Sequence, residues 1–172
     1  MFNQRLVDAF NTQITNELNS AYIYFGMAAY FDSSNLPGFA TWMRAQAQEE
    51  MAHALKIYDF VNERGADVKL AALDAPSTTY ESPLAAFKAA YKHEQFISGT
   101  IHQLYKLAEE EGDYASKPLL YWFIEEQVEE EASAKEIVDQ LEMVQDSRTG
   151  MYMLDKQLGE RVFNAEEDEA AD

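Results

Sequence analysis

Apolar residues recur along the chain with alternating spacings of three and four, the period of a helix that buries one stripe. Four long segments carry it. The first runs Val7, Phe10, Ile14, Glu17, Ala21, Tyr24, Ala28, Phe31, and the second Phe39, Met43, Gln46, Glu50, His53, Ile57, Phe60. The third reads Leu84, Phe87, Tyr91, Glu94, Ser98, Ile101, Tyr105, Ala108, and the fourth Leu120, Phe123, Gln127, Glu130, Ala134, Ile137, Leu141. Helix punctuation predicts their limits. The first spans about Asn3 to Phe31 and stops in "DSSNLPG", where Pro37 opens the second, which ends near Gly65. Ser82 and Pro83 cap and start the third, which fails at Gly112; the fourth begins around Ser116 and Pro118 and fades in "QDSRTG". After Gly150, "MYMLDKQLGERVF" predicts a short fifth helix, and residues 164–172, "NAEEDEAAD", read as a solvated acidic tail after one domain over 1–163.

Loop length then sets topology. Short links after the first and third helices make antiparallel hairpins, whereas the long stretch between Gly65 and Ser82 can traverse the bundle and leave helices two and three parallel. The expected fold is all-α, a four-helix bundle with one long crossover and a short fifth C-terminal helix.

Composition narrows the chemistry. The chain has 172 residues, 47% hydrophobic, enough for one core, and it lacks both an apolar run of membrane-spanning length and a secretory signal, which places it most simply in the cytoplasm. With no cysteine, disulfides, iron–sulfur clusters and thiolate catalysis are excluded, so any metal is held by oxygen and nitrogen. A formal charge of −18 disfavours nucleic acid and anionic membranes as partners and favours cations.

Every seam carries a glutamate near its middle. Glu17, Glu50, Glu94 and Glu130 each fall roughly 11 to 14 residues inside their helices, a scatter of a few ångströms at about 1.5 Å per residue. Four carboxylates are thereby expected in one layer, and no seam offers a Lys or Arg to compensate them. Burying like charges is expensive unless cations neutralise them, and His53, one turn from Glu50, adds a nitrogen ligand. A single inward Glu or His is more often a satisfied core residue; four at one depth with a histidine favour metal. In "EEQVEEEA" at 125–132 a solvated face competes with a functional one. Tyr24, seven residues from Glu17, suits either packing or a hydrogen bond to a ligand.

Carboxylates with one imidazole suit Fe(II), Mn(II) or Zn(II), and one Glu from each of two helices plus inward pairs from the others is a di-iron arrangement. A symmetric site would repeat Glu-x-x-His in the fourth helix, where this chain has Gln127 and Glu130. From Glu17 through "EEMAH", "YKHEQ" and "EEQVEEE" to the short last helix, the chain resembles the bacterial non-haem ferritins. The resemblance implies a homo-oligomeric shell of 24 subunits that oxidises Fe(II) with dioxygen or hydrogen peroxide at an intrasubunit di-iron centre and stores ferric mineral. It implies that Glu17, Glu50 and His53 form a first iron site, and that Glu94 and Glu130, with Glu50 bridging and Gln127 alongside, form a second. Glu49, Glu126 and Glu129, sharing Glu130, match a third iron site, and Tyr24 matches the tyrosine beside the centre. The last helix would surround the fourfold axis.

Met51 stands where bacterioferritins place a haem-ligating methionine, but those proteins also carry the second Glu-x-x-His, so haem is disfavoured. A rubrerythrin-like di-iron peroxidase is the other alternative, weakened by the missing cysteines and second histidine. A DNA-protecting miniferritin is opposed by the acidic tail and by ligands on all four seams of one chain.

Overall fold

The computed structural model describes residues 2–144 and 146–164, and among them all regular structure is helical. Four long helices, α1 (Gln4–Ser33), α2 (Pro37–Glu63), α3 (Pro83–Glu110) and α4 (Lys117–Val144), are followed by a short α5 (Arg148–Leu158). Helices α1 and α2 pair as one hairpin and α3 and α4 as the other, and the link 64–82 is the long crossover. The expected four-helix architecture with a short fifth helix is therefore the one adopted. The acidic tail read at 164–172 lies, except for Asn164, outside the described residues.

Three helices stop in the same way. A residue with positive φ follows each: Asn35 (57°) after α1, Gly65 (70°) after α2 and Gly112 (65°) after α3. The next N–H then turns back to a carbonyl five residues earlier, as in Leu36 to Phe31, Ala66 to Val61 and Asp113 to Ala108. This closes orphan carbonyls at each helix end, and glycine takes two of the three positions because it enters the left-handed region without strain. The cap at Asn35 carries α1 two residues past Phe31, where the apolar pattern ends. Ser82 caps α3 through the Ala85 N–H at 3.1 Å, as its sequence implied.

The fifth helix begins earlier than the sequence suggested. Ser147 caps it through Gly150 N–H at 3.0 Å, so Gly150 lies inside the helix instead of before it. Glycine is needed there because a Cβ would come within 2.8 Å of the Val144 side chain at the end of α4. The helix stops at Leu158, and 159–163 do not continue it.

Of the expected seams, those of α1 and α4 are buried throughout. In α2, Phe60 is half-buried and its neighbour Val61 takes the core position. In α3, Leu84, Tyr91 and Tyr105 are half-buried, while Ala90, Ile97 and Leu104 are buried. That helix packs on both α4 and α1, so its buried stripe is wider than, and rotated from, a single 3,4 seam.

The apolar core is in two pieces. One cluster gathers Leu6, Phe10, Ile14, Ile57, Ile101, Leu120 and Phe123 at one end of the bundle. The other gathers Tyr24, Phe31, Phe39, Met43, Phe87, Leu141, Leu154 and Leu158 at the end covered by α5. The N-terminal halves of α1 and α4 meet the C-terminal halves of α2 and α3 in the first cluster, as a parallel α2 and α3 require. Between the clusters lies a buried polar layer, and it positions the site.

Candidate metal centre

Each helix sends residues from its middle into this layer: Glu17 from α1, Gln46, Glu50 and His53 from α2, Glu94 from α3, and Gln127 and Glu130 from α4. All are at most 5% exposed. Spacings of three or four within α2 and α4 stack Gln46, Glu50 and His53, and likewise Gln127 and Glu130, on single inner faces. No Lys or Arg is buried among the described residues, so neither shares the layer with these acids.

Two sets of potential ligand atoms converge, each within 4.8 Å: Glu17, Glu50 and His53 in one, Glu50, Glu94 and Glu130 in the other. Glu50 belongs to both and so lies between two positions that a cation can occupy. A third set under the same limit, Glu49, His53, Glu126 and Glu130, adjoins them toward the half-buried side of α2 and α4. Glu129, which the sequence reading grouped with the third set, is exposed on α4 and lies outside all three. Met51 is 39% exposed, on the outer surface of α2.

Amides organise the carboxylates. Gln13 Nε2 donates to Glu17 Oε1 at 2.7 Å. Gln46 Nε2 donates to Glu50 Oε1 at 3.0 Å and to Glu130 Oε2 at 2.7 Å, tying α2 to α4. Gln127 Nε2 lies 3.2 Å from the Glu94 carbonyl and 3.3 Å from Glu94 Oε2, while the Tyr24 hydroxyl donates to Glu94 Oε1. The His53 ring is held by the edges and faces of Trp122 and Phe123, with centroids 5.5 and 5.6 Å away.

What these contacts leave unsatisfied is informative. Glu17 Oε2, Glu130 Oε1 and both nitrogens of His53 are buried without a hydrogen-bond partner. Orphaned buried acceptors are uncommon because each forfeits its hydration with nothing in return. Oxygen donors from two carboxylates and an imidazole nitrogen, all turned into one layer, are the donor chemistry of Fe(II), Mn(II) or Zn(II). The residues present fit such ions.

Protonation in the metal-free protein follows from crowding. Burial, and then the charge of Glu50, push Glu17 and Glu94 up to about 8. Burial followed by Glu49 and Glu94 raises Glu130 well above the usual carboxylate range. Burial also opposes the charge on Glu50, but His53 and the Gln46 amide outweigh it and hold Glu50 below 4.5. Burial would lower His53, yet Glu50, Glu17 and Glu130 around it raise it well above 6.5. His53 Nδ1 stands 3.7 Å from Glu50 Oε2, close enough for charge attraction though beyond a hydrogen bond. The layer thus carries one ion pair among protonated carboxyls, since four like charges cannot ionise together. Tyr24 is raised well above 10 by burial and then by Glu94, so it remains a phenol that donates to its neighbour.

Sequence reasoning missed several residues that shape this region. Gln46 was read as part of the seam without a role. Gln13, one turn before Glu17, carried no signal because its partner is defined only once the helix faces inward. Arg161 pairs with Glu49 at 2.5 Å and lies over the Trp42 ring at 4.3 Å, a contact between residues 112 positions apart.

Comparison with known proteins agrees with this architecture. Residues 7–144 match the model of the ferritin-like domain. The chain is 37% identical over 166 residues to a bacterial non-heme ferritin of Staphylococcus aureus, covering 96% of this chain and 100% of that one. It is 38% identical over 167 residues to a bacterial non-heme ferritin of Staphylococcus saprophyticus, covering 97% and 100%. Among solved structures, an engineered closed form of the Archaeoglobus fulgidus ferritin superposes with a TM-score of 0.94 at 46% identity, covering 95% of this chain and 100% of that one. An open-pore ferritin from the same archaeon superposes with a TM-score of 0.93, also at 46% identity, covering 94% and 98%.

Proposed function

The chain belongs to the ferritin family, and from that premise we propose that it stores iron, oxidising Fe(II) at the buried carboxylate layer and holding the ferric product inside a shell of its own copies. The observation that carries this reading is the convergence of Glu17, Glu50, His53, Glu94 and Glu130 in one buried layer, with buried polar atoms that find no hydrogen-bond partner among the described residues. Fe(II) is the substrate. The strongly acidic chain draws cations toward it. Glu17 and His53 hold one ion, Glu94 and Glu130 with Gln127 alongside hold the other, and Glu50 serves both. Bound iron supplies the electrons that reduce dioxygen or hydrogen peroxide. The chain's part is to hold two ions together, to surrender the protons of Glu17 and Glu94 as the ions enter, and to keep Tyr24 donating to Glu94. Glu49 and Glu126 lie beside Glu130 as an outer position for a third, more labile ion, with the exposed Glu129 available only from the surface.

The same proposal includes residues 1–163 as one domain, a shell of 24 subunits, and a place in the cytoplasm. The shell is supported by the likeness to whole ferritin chains; the location is supported by an acidic, cysteine-free sequence. No helix among the described residues is long and apolar enough to cross a membrane. The test is aerobic loading of metal-free protein with Fe(II). Uptake of far more iron than two or three ions per chain, as mineral, is expected, and a stop at that stoichiometry refutes storage. Glu50→Ala and His53→Ala should each abolish rapid oxidation with assembly intact; unchanged initial rates in both remove the site assignment.

A further inference from the structure

We propose that Arg161 is a built-in competitor for the third cation position, a positioning residue whose guanidinium holds Glu49 until an incoming ion displaces it. The inference rests on the reading of the layer as an iron site and adds a control to its outer edge. Arg161 Nη2 sits 2.5 Å from Glu49 Oε2, and both side chains are largely sheltered, at 24% and 19% exposure. Among the described residues its Nη1 is buried without a hydrogen-bond partner, and the guanidinium is held by the Glu49 carboxylate and the Trp42 ring. Glu49 in turn belongs to the ligand set with His53, Glu126 and Glu130, in which His53 is 1% exposed with both ring nitrogens unpartnered. A divalent ion using Glu49 there meets a positive charge already on the same carboxylate.

The chain delivers Arg161 to this place by a defined route. Asp155 of α5 accepts from the Gly38 and Phe39 N–H groups at the start of α2, at 2.8 and 3.1 Å. Gly159 then closes on Gly38 so tightly that a Cβ on it would lie 3.2 Å from the Gly38 Cα. Two residues later the side chain of Arg161 runs along α2 over Trp42 to Glu49. The stack on Trp42 keeps the guanidinium near when it leaves the carboxylate, because cation–π attraction survives loss of the ion pair. Trp42 also packs edge-on against Tyr24 at 6.4 Å, so the arm rests on the wall of the inner site without entering it.

The test is anaerobic Fe(II) binding to the assembled protein by titration calorimetry. In Arg161→Gln the third ion should bind about tenfold more tightly, the fold-change that corresponds to about 1.4 kcal/mol of lost competition, while the first two ions change less than about twofold. Arg161→Lys keeps charge but loses the flat stack, and should fall between. An unchanged or weakened third ion in Arg161→Gln overturns the proposal. Crystals of the unaltered protein soaked in Zn(II) give a second test that needs no variant: with an ion on Glu49, the guanidinium must have left it. An ion and the guanidinium found together on Glu49, in the present arrangement, overturn the competition. A protein that binds no Fe(II) even at Glu17, Glu50 and His53 instead overturns the functional reading, and the competitor with it.

Discussion

Removing Asp155 should release α5 from the bundle while leaving the four long helices folded. The α2 N-terminus shows why. Pro37 has no N–H, Ala40 donates to the Leu36 carbonyl at 3.1 Å, and Leu36 offers no side-chain cap, so the N–H groups of Gly38 and Phe39 depend on Asp155 Oδ1. Asp155 is 6% exposed, and its carboxylate also faces the positive end of the α2 dipole. Losing a cap of this kind costs about 1 kcal/mol, the unsatisfied buried donors add about 1–2 more, and the dipole term brings the total for Asp155→Ala to about 2–4 kcal/mol. Asp155→Asn keeps an acceptor and should lose only about 1 kcal/mol. The assay is amide hydrogen exchange resolved by segment. Amides of α5 and the first turn of α2 should exchange about 30- to 1000-fold faster in Asp155→Ala, the factor equivalent to that energy, with the middles of α1 and α4 unchanged. Unaltered exchange in α5 would show that Leu154 and Leu158 hold the helix by packing alone.

Gly38→Ala should be at least as damaging, because an added Cβ would lie 1.6 Å from the Asp155 carbonyl oxygen; an unshifted melting temperature would contradict the described docking. Metal binding should release protons. Glu17 and Glu94 at about 8 are protonated at neutral pH, favour the metal-free fold most below 4.5, and lose that contribution as pH rises toward about 8. Zn(II) affinity should accordingly strengthen from pH 6 to 8, with heats that depend on the buffer's ionisation enthalpy; buffer-independent heats at pH 6.5 would refute it. At the far end of the bundle Arg64 clamps Asp113 at 2.8 Å. Burial is the largest single influence on Asp113 and opposes its charge, but the Arg64 hydrogen bond and charge, with the Ser116 hydroxyl, together outweigh it and hold Asp113 below its usual 3.8. That pair should stabilise the fold above about pH 3.8 and stop doing so as acid protonates Asp113, so the stability gap between native protein and Asp113→Asn should close below that pH. A gap that persists in acid would place the effect elsewhere.

The long helices and the polar layer were readable from the sequence because both follow from period and depth. A 3,4 stripe names the inward face, and distance from a capped start names the level, so Glu17, Glu50, His53, Glu94, Gln127 and Glu130 are found before any coordinates exist. The same logic fails where burial depends on two neighbours at once, as in α3, where Ala90, Ile97 and Leu104 are buried and Leu84, Tyr91 and Tyr105 only half so. It fails again at Gly150, which reads as a helix breaker but is a spacer for Val144. Glu126 and Glu129 look equivalent in an acidic run and lie only about 60° apart around the helix, yet Glu126 joins Glu49 and Glu130 while Glu129 is exposed.

Gln46, Asp155 and Arg161 were illegible for a common reason: each acts on a partner that only docking brings near. Gln46 bridges α2 to α4, Asp155 caps a helix 117 residues before it, and Arg161 reaches Glu49 across 112. Their functions nonetheless depend on one another. The polar layer interrupts the apolar core, so the bundle is held by two clusters on either side of it, and α5 supplies Leu154 and Leu158 to one of them. The anchor that places those leucines, Asp155, also sets where the chain leaves α5, and hence whether Arg161 reaches Glu49. If that linkage holds, Asp155→Ala should reproduce the tighter third-ion binding of Arg161→Gln although it touches no ligand. A third-ion affinity that stays at the native value once α5 is released would show that Arg161 finds Glu49 without the helix that carries it.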